Sequence, residues 1–416
     1  MKGKRNFTLY AAGRFVSLIG TGIQDIALAL FVLDLTGSGA MMGLFLIASM
    51  VPRLVLVPFA GVFGDAFNRK HIMVWMDYGR GALILFLAFL AFNGMITIPI
   101  LLVAQLLASV MGAMFGPATS AMLPDLVEEA DYTRANSVIG SINSLSLIIG
   151  PAAGGIIYGL GGLTFALVFN GISFVGSGFS EMFIKYEGVT KKLKGFKHVI
   201  TNMKEGIRFI LDRRALTILM GFVLVLNFLT NPMFTVVFPY VMRLVIGFSS
   251  NQYGLLQSTF LIGILAGNLV IGAFLAKKRA EKLIVPGLLL EMSISMIFVI
   301  LIFPVSISGL GGASWLMFGI LASVFVAMGF FNAYINTPIM TMFQKLIPPD
   351  FRSRVFSVLE VMGQGIVPLG IGIVGIMLDI IPAHIVSLIL TVPAILLTFI
   401  FVFKYSKAVF KELNGE

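Results

Sequence analysis

The chain has 416 residues, of which 58% are hydrophobic and only 12% are charged. Soluble globular domains carry about 25% charged residues, so this composition excludes an ordinary soluble protein. The chain contains no cysteine, which excludes disulfides, thiol nucleophiles and thiolate metal sites. The net charge of +10 is carried by basic residues in short loops between apolar segments, so we predict no nucleic-acid partner.

Apolar runs of about 20 residues, the length that crosses the hydrocarbon core, recur along the chain. They predict an all-α integral membrane protein with about twelve transmembrane helices, because a chain in lipid must satisfy its backbone hydrogen bonds within each helix. The predicted spans are 7–33, 40–63, 72–92, 97–120, 135–160, 163–184, 216–242, 253–276, 283–303, 314–343, 355–380 and 385–403. The first run is too long for a cleaved signal peptide and lacks a small-residue cleavage site, so we expect it to remain as a span.

Basic residues alternate between the loops in a way that sets the orientation of the spans. Lysine and arginine flank membrane spans on the cytoplasmic side. Here they fall at the N-terminus and at 69–70, 134, 185–214, 277–282, 345–354 and 404–411. The opposite loops carry almost none, Arg243 being the nearest exception. The pattern predicts a multi-pass protein of the inner (plasma) membrane with both termini in the cytoplasm.

One long polar stretch separates two groups of six predicted spans. It divides the chain into an N-terminal six-helix bundle at 1–184, a cytoplasmic linker at 185–214 and a C-terminal six-helix bundle at 215–416. Each bundle is expected to hold its own set of spans, joined to the other through the linker.

The linker contains a helical pattern of apolar residues. Met203, Ile207 and Ile210 recur at helical spacing, with Lys204 and Arg208 on the other face. This pattern predicts an amphipathic helix lying on the anionic inner leaflet, with membrane lipids as its partner. A helix that binds another protein is the alternative.

Short repeats relate the two halves of the chain. The segment 61–65, GVFGD, ends the second predicted helix, and 272–276, GAFLA, ends the eighth. A Pro-Asp pair precedes the fifth helix at 124–125 and the eleventh at 349–350. The two bundles are therefore predicted to be pseudo-symmetric copies of one plan.

The segment 61–70 reads GVFGDAFNRK and resembles the signature loop between helices two and three of the major facilitator superfamily. That superfamily usually has glycine where Asn68 stands. A glycine such as Gly61 lets two helices approach closely, and Asp65 at a helix end can bond the N-terminus of a neighbouring helix. The resemblance implies that Gly61, Asp65 and Arg69 belong to a cytoplasmic gate. An ordinary capped turn is the alternative.

The segment 146–155, SLIIGPAAGG, is similar to the antiporter motif in the fifth helix of that superfamily, with serine in place of the usual leading glycine. The matching residues are Gly150, Pro151, Gly154 and Gly155. Small residues permit tight helix packing, and the proline frees a backbone carbonyl and bends the span. The resemblance implies export rather than uptake, and generic helix packing is the alternative.

Shorter stretches resemble the drug:proton antiporter branch of the superfamily, which includes macrolide-efflux proteins and the enterobactin exporter. They are Pro52-Arg53, Asp77 with Arg80, and 205–210. The arginine of the fourth-helix motif common in such antiporters is missing from 101–119, so a proton pathway that uses it does not transfer to this chain. No Walker lysine motif occurs, which argues against ATP-driven transport. We predict a protein that is not an enzyme and has no cofactor and no metal centre.

Ionisable residues inside the predicted spans are candidates for coupling to protons, because a charge in hydrocarbon is costly. Arg14 and Asp25 are separated by about three helical turns and so lie on one face of the first helix. Arg53 lies at a comparable depth in the second helix and is predicted to pair with Asp25 until that acid is protonated. Glu360 and Glu291 are rival acids, whose alternative role is a structural ion pair or polar contact. Asp77 and Arg80, at i and i+3, are predicted to brace the cytoplasmic gate.

A substrate cavity is expected between the two bundles near the middle of the membrane, lined in the resembled fold by helices one, four, seven and ten. Hydrogen bonding between helices is the alternative role for each polar candidate. The candidates are Tyr10, Thr21, Gln24, Gln105, Asn227, Asn231, Asn332 and Asn336. The 38 phenylalanines and 23 methionines supply adaptable apolar surface for amphipathic ligands.

Together these resemblances imply a secondary active transporter that works as a monomer. It would export a lipophilic or amphipathic small molecule, such as a drug, a macrolide or a siderophore-like compound, in exchange for protons by alternating access. A lipid or lysolipid translocator is one alternative. A membrane receptor or scaffold that does not transport is another.

Overall fold

The computed structural model describes residues 4–66, 68–186, 196–347 and 349–413, and these are helical with short connections. The side chains of 57–66, 196–199, 202, 345–346, 349–354, 357 and 413 are outside the description. The α-helices are α1 Lys4–Thr36, α2 Gly39–Ala66, α3 Arg69–Phe92, α4 Ile98–Leu126, α5 Tyr132–Met182, α6 Phe196–Leu211, α7 Arg214–Pro232, α8 Phe238–Tyr240, α9 Ser250–Val270, α10 Glu281–Leu301, α11 Pro304–Gly309, α12 Trp315–Leu346, α13 Pro349–Gly365, α14 Val367–Ile380, α15 Ala383–Ile400 and α16 Ser406–Leu413.

Side-chain caps mark where several helices begin. Asn68 accepts hydrogen bonds from two backbone N–H groups in the first turn of α3. Ser249 and Gln252 form a reciprocal capping box at the start of α9, and Ser314 caps α12 through the N–H of Met317. The first N–H groups of a helix have no partner within it, so these side chains define the starts of three helices.

Eleven helical stretches in the described part of the chain are long and apolar enough to cross a bilayer. One of them, Glu129–Met182, holds 54 residues, more than twice the length that a bilayer requires. Gly161 and Gly162 break it, and Gly162 has a φ of 63°, in the left-handed region that favours glycine. α5 is therefore two spans, before and after this break. The total of twelve confirms the predicted all-α membrane fold.

Wide π-helical turns interrupt the later helices. They are Met233–Val237, Val241–Ile246, Ile271–Leu275 and Phe401–Tyr405. The first turn joins α7 to α8 and the second continues α8, so one continuous span ends at Ile246 rather than at the predicted residue 242. π turns inside α-helices are uncommon and frequently lie at functional sites.

The chain divides into two compact units. The first comprises Met1–Leu35 and Phe45–Phe196, and the second comprises Thr36–Leu44 and Lys197–Glu416. The boundary at Phe196 falls within the predicted linker. The first turns of α2 group with the second unit, whereas the rest of that helix belongs to the first.

α14 holds the N-terminus of α2 within the second unit. The Asp379 carboxylate accepts hydrogen bonds from the Ser38 hydroxyl and from the Gly39 N–H, both at 2.6 Å. It also accepts one from the Ala40 N–H at 3.3 Å. A methyl group on Gly39 would lie 2.8 Å from the Gly375 carbonyl oxygen, so this approach requires glycine. The carboxylate thus caps the positive end of the α2 helix dipole.

Each unit begins and ends at the same end of its helices. In the first unit, Asn6 near the start of α1 exchanges hydrogen bonds with the backbone of Lys185, just beyond α5. In the second, the N–H of Ala215 near the start of α7 donates to Glu412 in α16. An even number of spans returns a chain to the side from which it started, and six spans in each unit satisfy this.

Apolar side chains fill both units and also cover their outer surfaces. In the second unit Phe222 and Phe401 stack with ring centroids 4.1 Å apart. Elsewhere large apolar side chains are exposed, including Trp75 at 67%, Phe92 at 79% and Phe274 at 80%. Water does not tolerate so much apolar surface, whereas lipid does. The chain is an integral membrane protein.

The apolar side of α6 is divided between protein and surroundings. Phe209 and Ile210 are buried in the core of the second unit, and Met203 packs against them. Ile200 and Ile207 are exposed. Part of the apolar side therefore packs on the second unit, and part remains open to the lipid surface that the sequence predicts for this helix.

Candidate functional site

In the first unit, α1 packs directly against the backbone of α5. A methyl group built on Gly22 would lie 2.9 Å from the Cα atom of Gly150. A methyl group on Gly154 would lie 3.0 Å from both the Cα atom and the carbonyl oxygen of Ile23. Real side chains do not fit at such distances, so these glycines of the antiporter-like segment allow the two helices to touch.

The other residues that match the antiporter-like motif are also buried, whereas Leu147 and Ile149 of the segment are exposed. Pro151 and Gly155 lie inside the first unit. Ser146, which replaces the usual glycine, is buried too, and its hydroxyl has no hydrogen-bond partner among the described residues. The segment therefore forms the packed face of α5 and does not present polar groups to an open cavity.

Polar residues of α1 mostly bond within the first unit. The Tyr10 hydroxyl is buried and donates to the Thr119 carbonyl oxygen at 3.1 Å. The Asn170 side-chain amide donates to Gln24 at 2.6 Å, and both residues are buried. The Thr21 hydroxyl bonds to a carbonyl one turn earlier in its own helix. Tyr10 and Gln24 therefore take the interhelical hydrogen-bonding role in this structure and are only 1% and 6% exposed.

Three of the predicted coupling residues are exposed in this structure. Asp25 and Arg53 are exposed, and within the described chain Asp25 makes no ion pair with Arg53. The predicted pair is not formed in this structure, because equal depth in two helices does not make their faces meet. Glu360 on α13 is also exposed. Arg14, by contrast, donates from Nε to the Asn143 side-chain oxygen at 3.3 Å.

The loop motif between α2 and α3 is held by Arg69. Its guanidinium donates to the Ala121 carbonyl oxygen at 2.9 Å and to the Asp125 carboxylate at 2.8 Å. The Tyr186 hydroxyl donates to the same carboxylate at 3.0 Å. Partial burial, together with this carboxylate, raises the pKa of the Tyr186 hydroxyl above its ordinary value. Arg69 therefore ties the motif to the end of α4.

Two of the predicted gate residues have no described side chains. Gly61 and Asp65 lie in α2. The side chains of this part of α2 are outside the described residues, and so is the contact predicted for Asp65. The motif's departure from its relatives has a structural reason, since Asn68 is the residue that caps α3.

A cluster of buried ionisable side chains lies where α3 packs on the second span of α5. It consists of Asp77, Arg80, Ser177 and Glu181, and is called the buried acid cluster below. Asp77 is 0% exposed and Glu181 is 1% exposed. Arg80 donates to Asp77 in a short ion pair. The Ser177 hydroxyl lies 3.5 Å from Glu181 Oε1 and also interacts with Asp77.

Aromatic rings hold the guanidinium of this cluster. Arg80 Cζ lies 4.2 Å from the ring centroid of Phe115 and 4.4 Å from that of Phe174. A guanidinium between two ring faces is stabilised by cation–π attraction. The predicted brace between Asp77 and Arg80 is thus an ion pair inside the first unit, in which the Asp77 side chain is 0% exposed and that of Arg80 is 12% exposed.

Glu181 was missed by sequence reasoning. It lies near the end of the predicted sixth span, beside the basic linker, where an acid is ordinarily solvated. The available signal was its spacing of four residues from Ser177, which places both on one helix face. In the structure Gly178, on the same face, lies close to Asp77 and so marks the side of the helix that packs against α3.

The second unit has its own buried acid. Glu291 on α10 is 7% exposed and accepts a hydrogen bond from the Asn332 side chain on α12 at 3.0 Å. Asn336 donates in turn to the Asn332 side-chain oxygen at 2.9 Å. A rival coupling acid and two cavity candidates therefore form one network, which sequence spacing alone did not connect.

The remaining cavity candidates are less closely linked. The Asn227 side chain donates to the Gly363 carbonyl oxygen at 3.2 Å. The side-chain oxygen of Asn231 is buried, and no partner for it occurs among the described residues. Gln105 on α4 is half-buried. These three do not join the network around Glu291.

An apolar cavity lies within the second unit, between the α7 span and α10, α12 and α15. Its lining includes Met233, Phe234, Met292, Phe325, Met328 and Ser295. The Ser295 hydroxyl donates to the backbone carbonyl oxygen of Glu291 at 2.8 Å, one turn earlier in α10, and not to its carboxylate. The free volume of the cavity is about 20 Å³, which is room for about one water molecule.

Twelve apolar helices in two units, with ionisable side chains enclosed among them, define a membrane transporter. The chain belongs to the Major Facilitator Superfamily, whose family profile matches residues 10–231 and 220–414. This membership confirms the resemblance seen in the loop motif.

Curated relatives include exporters. The chain is 24% identical to macrolide efflux protein A of Streptococcus pyogenes over 369 residues, which cover 88% of each chain. It is 33% identical to a putative bacilysin exporter of Bacillus amyloliquefaciens over 156 residues, which cover 37% of this chain and 38% of that one. The predicted likeness to macrolide-efflux proteins is confirmed.

Solved structures share the fold. The nucleoside transporter NupG matches with a TM-score of 0.76 at 14% identity, covering 96% of this chain and 99% of the other. A bacterial homologue of the iron transporter ferroportin, in its inward-facing state, matches with a TM-score of 0.68 at 16% identity, covering 96% of this chain and 99% of the other. At such identities the likeness concerns architecture alone.

Proposed function

We propose that this protein is a secondary active exporter of the plasma membrane that exchanges protons for lipophilic or amphipathic small molecules. It works as a single chain by alternating access, with both termini in the cytoplasm. The observation that carries the proposal is the relationship to a macrolide efflux protein over 88% of both chains. The proposed substrates are macrolide-like or siderophore-like compounds that combine apolar surface with polar groups.

The chemistry inside the two units supports this proposal. A membrane protein that acts only as a scaffold does not require a buried acid, because an ionisable group enclosed among apolar helices costs free energy. Glu291 is nevertheless buried on α10, where it forms a network with Asn332 and Asn336. A polar or basic group of a substrate would find hydrogen-bonding partners in this network.

Coupling to protons requires a carboxyl group that meets water in one state and is enclosed in another. Asp25 is the proposed group at mid-membrane depth, because it is exposed in this structure while its neighbours on α1 are buried. Closure of the protein around Asp25 would desolvate it and favour its neutral form. Proton binding and the state of the cavity would then be linked.

Purified protein in proteoliposomes tests the proposal. With an imposed proton gradient, a fluorescent macrolide should accumulate against its own gradient, and each addition of substrate should move protons. Lipid flipping without substrate-driven proton movement would instead identify a lipid or lysolipid translocator. The absence of both activities would identify a receptor or scaffold.

A further inference from the structure

The buried acid cluster lies near the end of the first unit that carries Arg69 and Lys70. Asp77 follows the start of α3 by about 12 Å along the helix axis. At that end α3 is tied to the end of α5, because the Lys70 ammonium donates to the Met182 carbonyl oxygen at 2.8 Å. The Tyr78 hydroxyl also contacts the Met182 sulfur at 3.0 Å. The cluster therefore extends from Glu181, at the last turn of α5, to Asp77, about two turns inside α3.

Two carboxyl groups in the cluster share one guanidinium. Arg80 pairs with Asp77, whereas Glu181 has the Ser177 hydroxyl at the long distance of 3.5 Å. One oxygen of each acid, Asp77 Oδ2 and Glu181 Oε2, is buried without a hydrogen-bond partner in the described chain. An enclosed carboxylate without full pairing is strongly disfavoured. The arrangement is neutral when Glu181 carries a proton.

The helices packed around the cluster bring one further cation, Arg14 of α1, to this region. Tyr10, also on α1, interacts electrostatically with both Arg14 and Glu181. The Tyr10 hydroxyl already donates a hydrogen bond to the Thr119 carbonyl oxygen, and Arg14 donates one to Asn143. α4 contributes the Phe115 ring over Arg80. Because Arg14 donates to Asn143 rather than to either acid, a proton on Glu181 balances the two acids and the one guanidinium of the cluster.

We propose that the buried acid cluster is a second proton-binding site of this transporter, with Glu181 as the group that takes the proton. This inference rests on the proposed proton exchange. While the cluster is enclosed, the Glu181 carboxyl is neutral and Arg80 stays with Asp77. When water reaches the cluster, Glu181 releases its proton to that water and becomes a carboxylate. The two carboxylates then compete for the guanidinium, which can swing between them across the Phe115 and Phe174 rings.

The step moves one proton between a carboxyl oxygen and water and changes no other bond. Because the cluster lies beside the basic loop motif, the site would be the one from which protons leave toward the cytoplasm. Asp25, nearer the middle of α1, would be occupied earlier on the same route. The cluster is therefore a site of proton binding and release, distinct from the place where substrate binds.

The decisive variant is Glu181→Gln, which keeps the shape of the side chain and removes its titration. We expect it to bind a fluorescent macrolide and to exchange it across liposomes in the absence of a gradient. Substrate-induced proton release from the detergent-purified protein, followed with a pH indicator in weak buffer, should fall to background. Gradient-driven accumulation should be lost with it. Glu129→Gln, the same change at an exposed turn, should leave all three readouts unchanged.

Other outcomes separate this inference from the proposed function. Wild-type protein that releases no protons on substrate addition would contradict proton exchange as such. Wild-type and Glu181→Gln proteins that release protons equally would contradict only the role of the cluster. Should Glu181→Gln fail to reach the membrane, Glu181→Asp keeps a carboxyl at a changed distance. It should couple with a shifted pH profile, and an unshifted profile would overturn the proposal.

Discussion

Asn68 shows how one residue changes the structural role of a loop motif. Its superfamily relatives usually have glycine there, and in this chain the side-chain oxygen accepts from the N–H groups of Lys70 and His71. The next residue, Arg69, then reaches Asp125 on α4. A capped α3 therefore begins at a defined residue and presents Arg69 in a fixed direction.

Removal of this cap should be measurable. Asn68→Ala should lower the free energy of unfolding by about 1 kcal/mol, whereas Asn68→Gly should lower it by only a few tenths of that amount. The difference arises because glycine exposes the first N–H groups to solvent more readily than alanine does. Thermal unfolding of the detergent-purified variants provides the comparison. Equal Tm values for the two variants would show that the cap does not stabilise α3.

Asp25 should behave as a coupling acid rather than as a packing residue. Asp25→Asn should retain macrolide binding and gradient-free exchange and lose proton-driven accumulation, because the amide cannot take up a proton. Its exposure predicts little effect on folding. The matched change Asp131→Asn, at an exposed turn, should transport normally. Full proton-driven transport by Asp25→Asn would remove this residue from the route.

At the scale of helices, packing depends on a few close approaches. α1 touches α5 through Gly22, Gly150 and Gly154, and backbone atoms leave no room for a side chain there. The same contact fixes α1 beside both spans of α5, since Asn170 of the second span bonds to Gln24. α1 is therefore a central element of the first unit, with most of its middle turns buried.

A single methyl group should disturb this contact. Gly22→Ala forces an added carbon against the Gly150 backbone and should cost about 1–3 kcal/mol of stability. Gly112→Ala is the matched control, because nothing lies within 4 Å of the position its methyl group would take. That control should be neutral or slightly stabilising, since alanine favours helix more than glycine does. Thermal unfolding and membrane yield of both variants would test this, and a loss confined to Gly112→Ala would contradict it.

Helices could be located from sequence because lipid imposes one length on every span. The break between the fifth and sixth spans was also predictable, since two adjacent glycines stand at Gly161 and Gly162. The π turns were not predictable, because they depend on how neighbouring helices pack. Side-chain partners were the least accessible: Glu181 and Asp77 lie far apart in sequence, and the predicted partners Asp25 and Arg53 do not pair in the fold.

For the molecule as a whole, the basic loops predict the orientation in the membrane. The chain contains no cysteine, so single cysteines can be introduced without a background. Met95→Cys lies in an exposed loop of the side predicted to be external, and Lys278→Cys lies in an exposed basic loop. A membrane-impermeant maleimide should label the first in intact cells and the second only after permeabilisation. The reverse pattern would place both termini outside.

The four π-helical turns of the described chain all lie in the second unit, between residues 233 and 405. Each such turn holds one residue more than an α turn. Loss of one residue there would restore α-helical bonding, whereas loss of one residue from a regular helix rotates everything beyond it by about 100°. Single-codon deletions should therefore survive at these turns more often than elsewhere in the spans. Among homologous genes, helix length is expected to vary first at these four places.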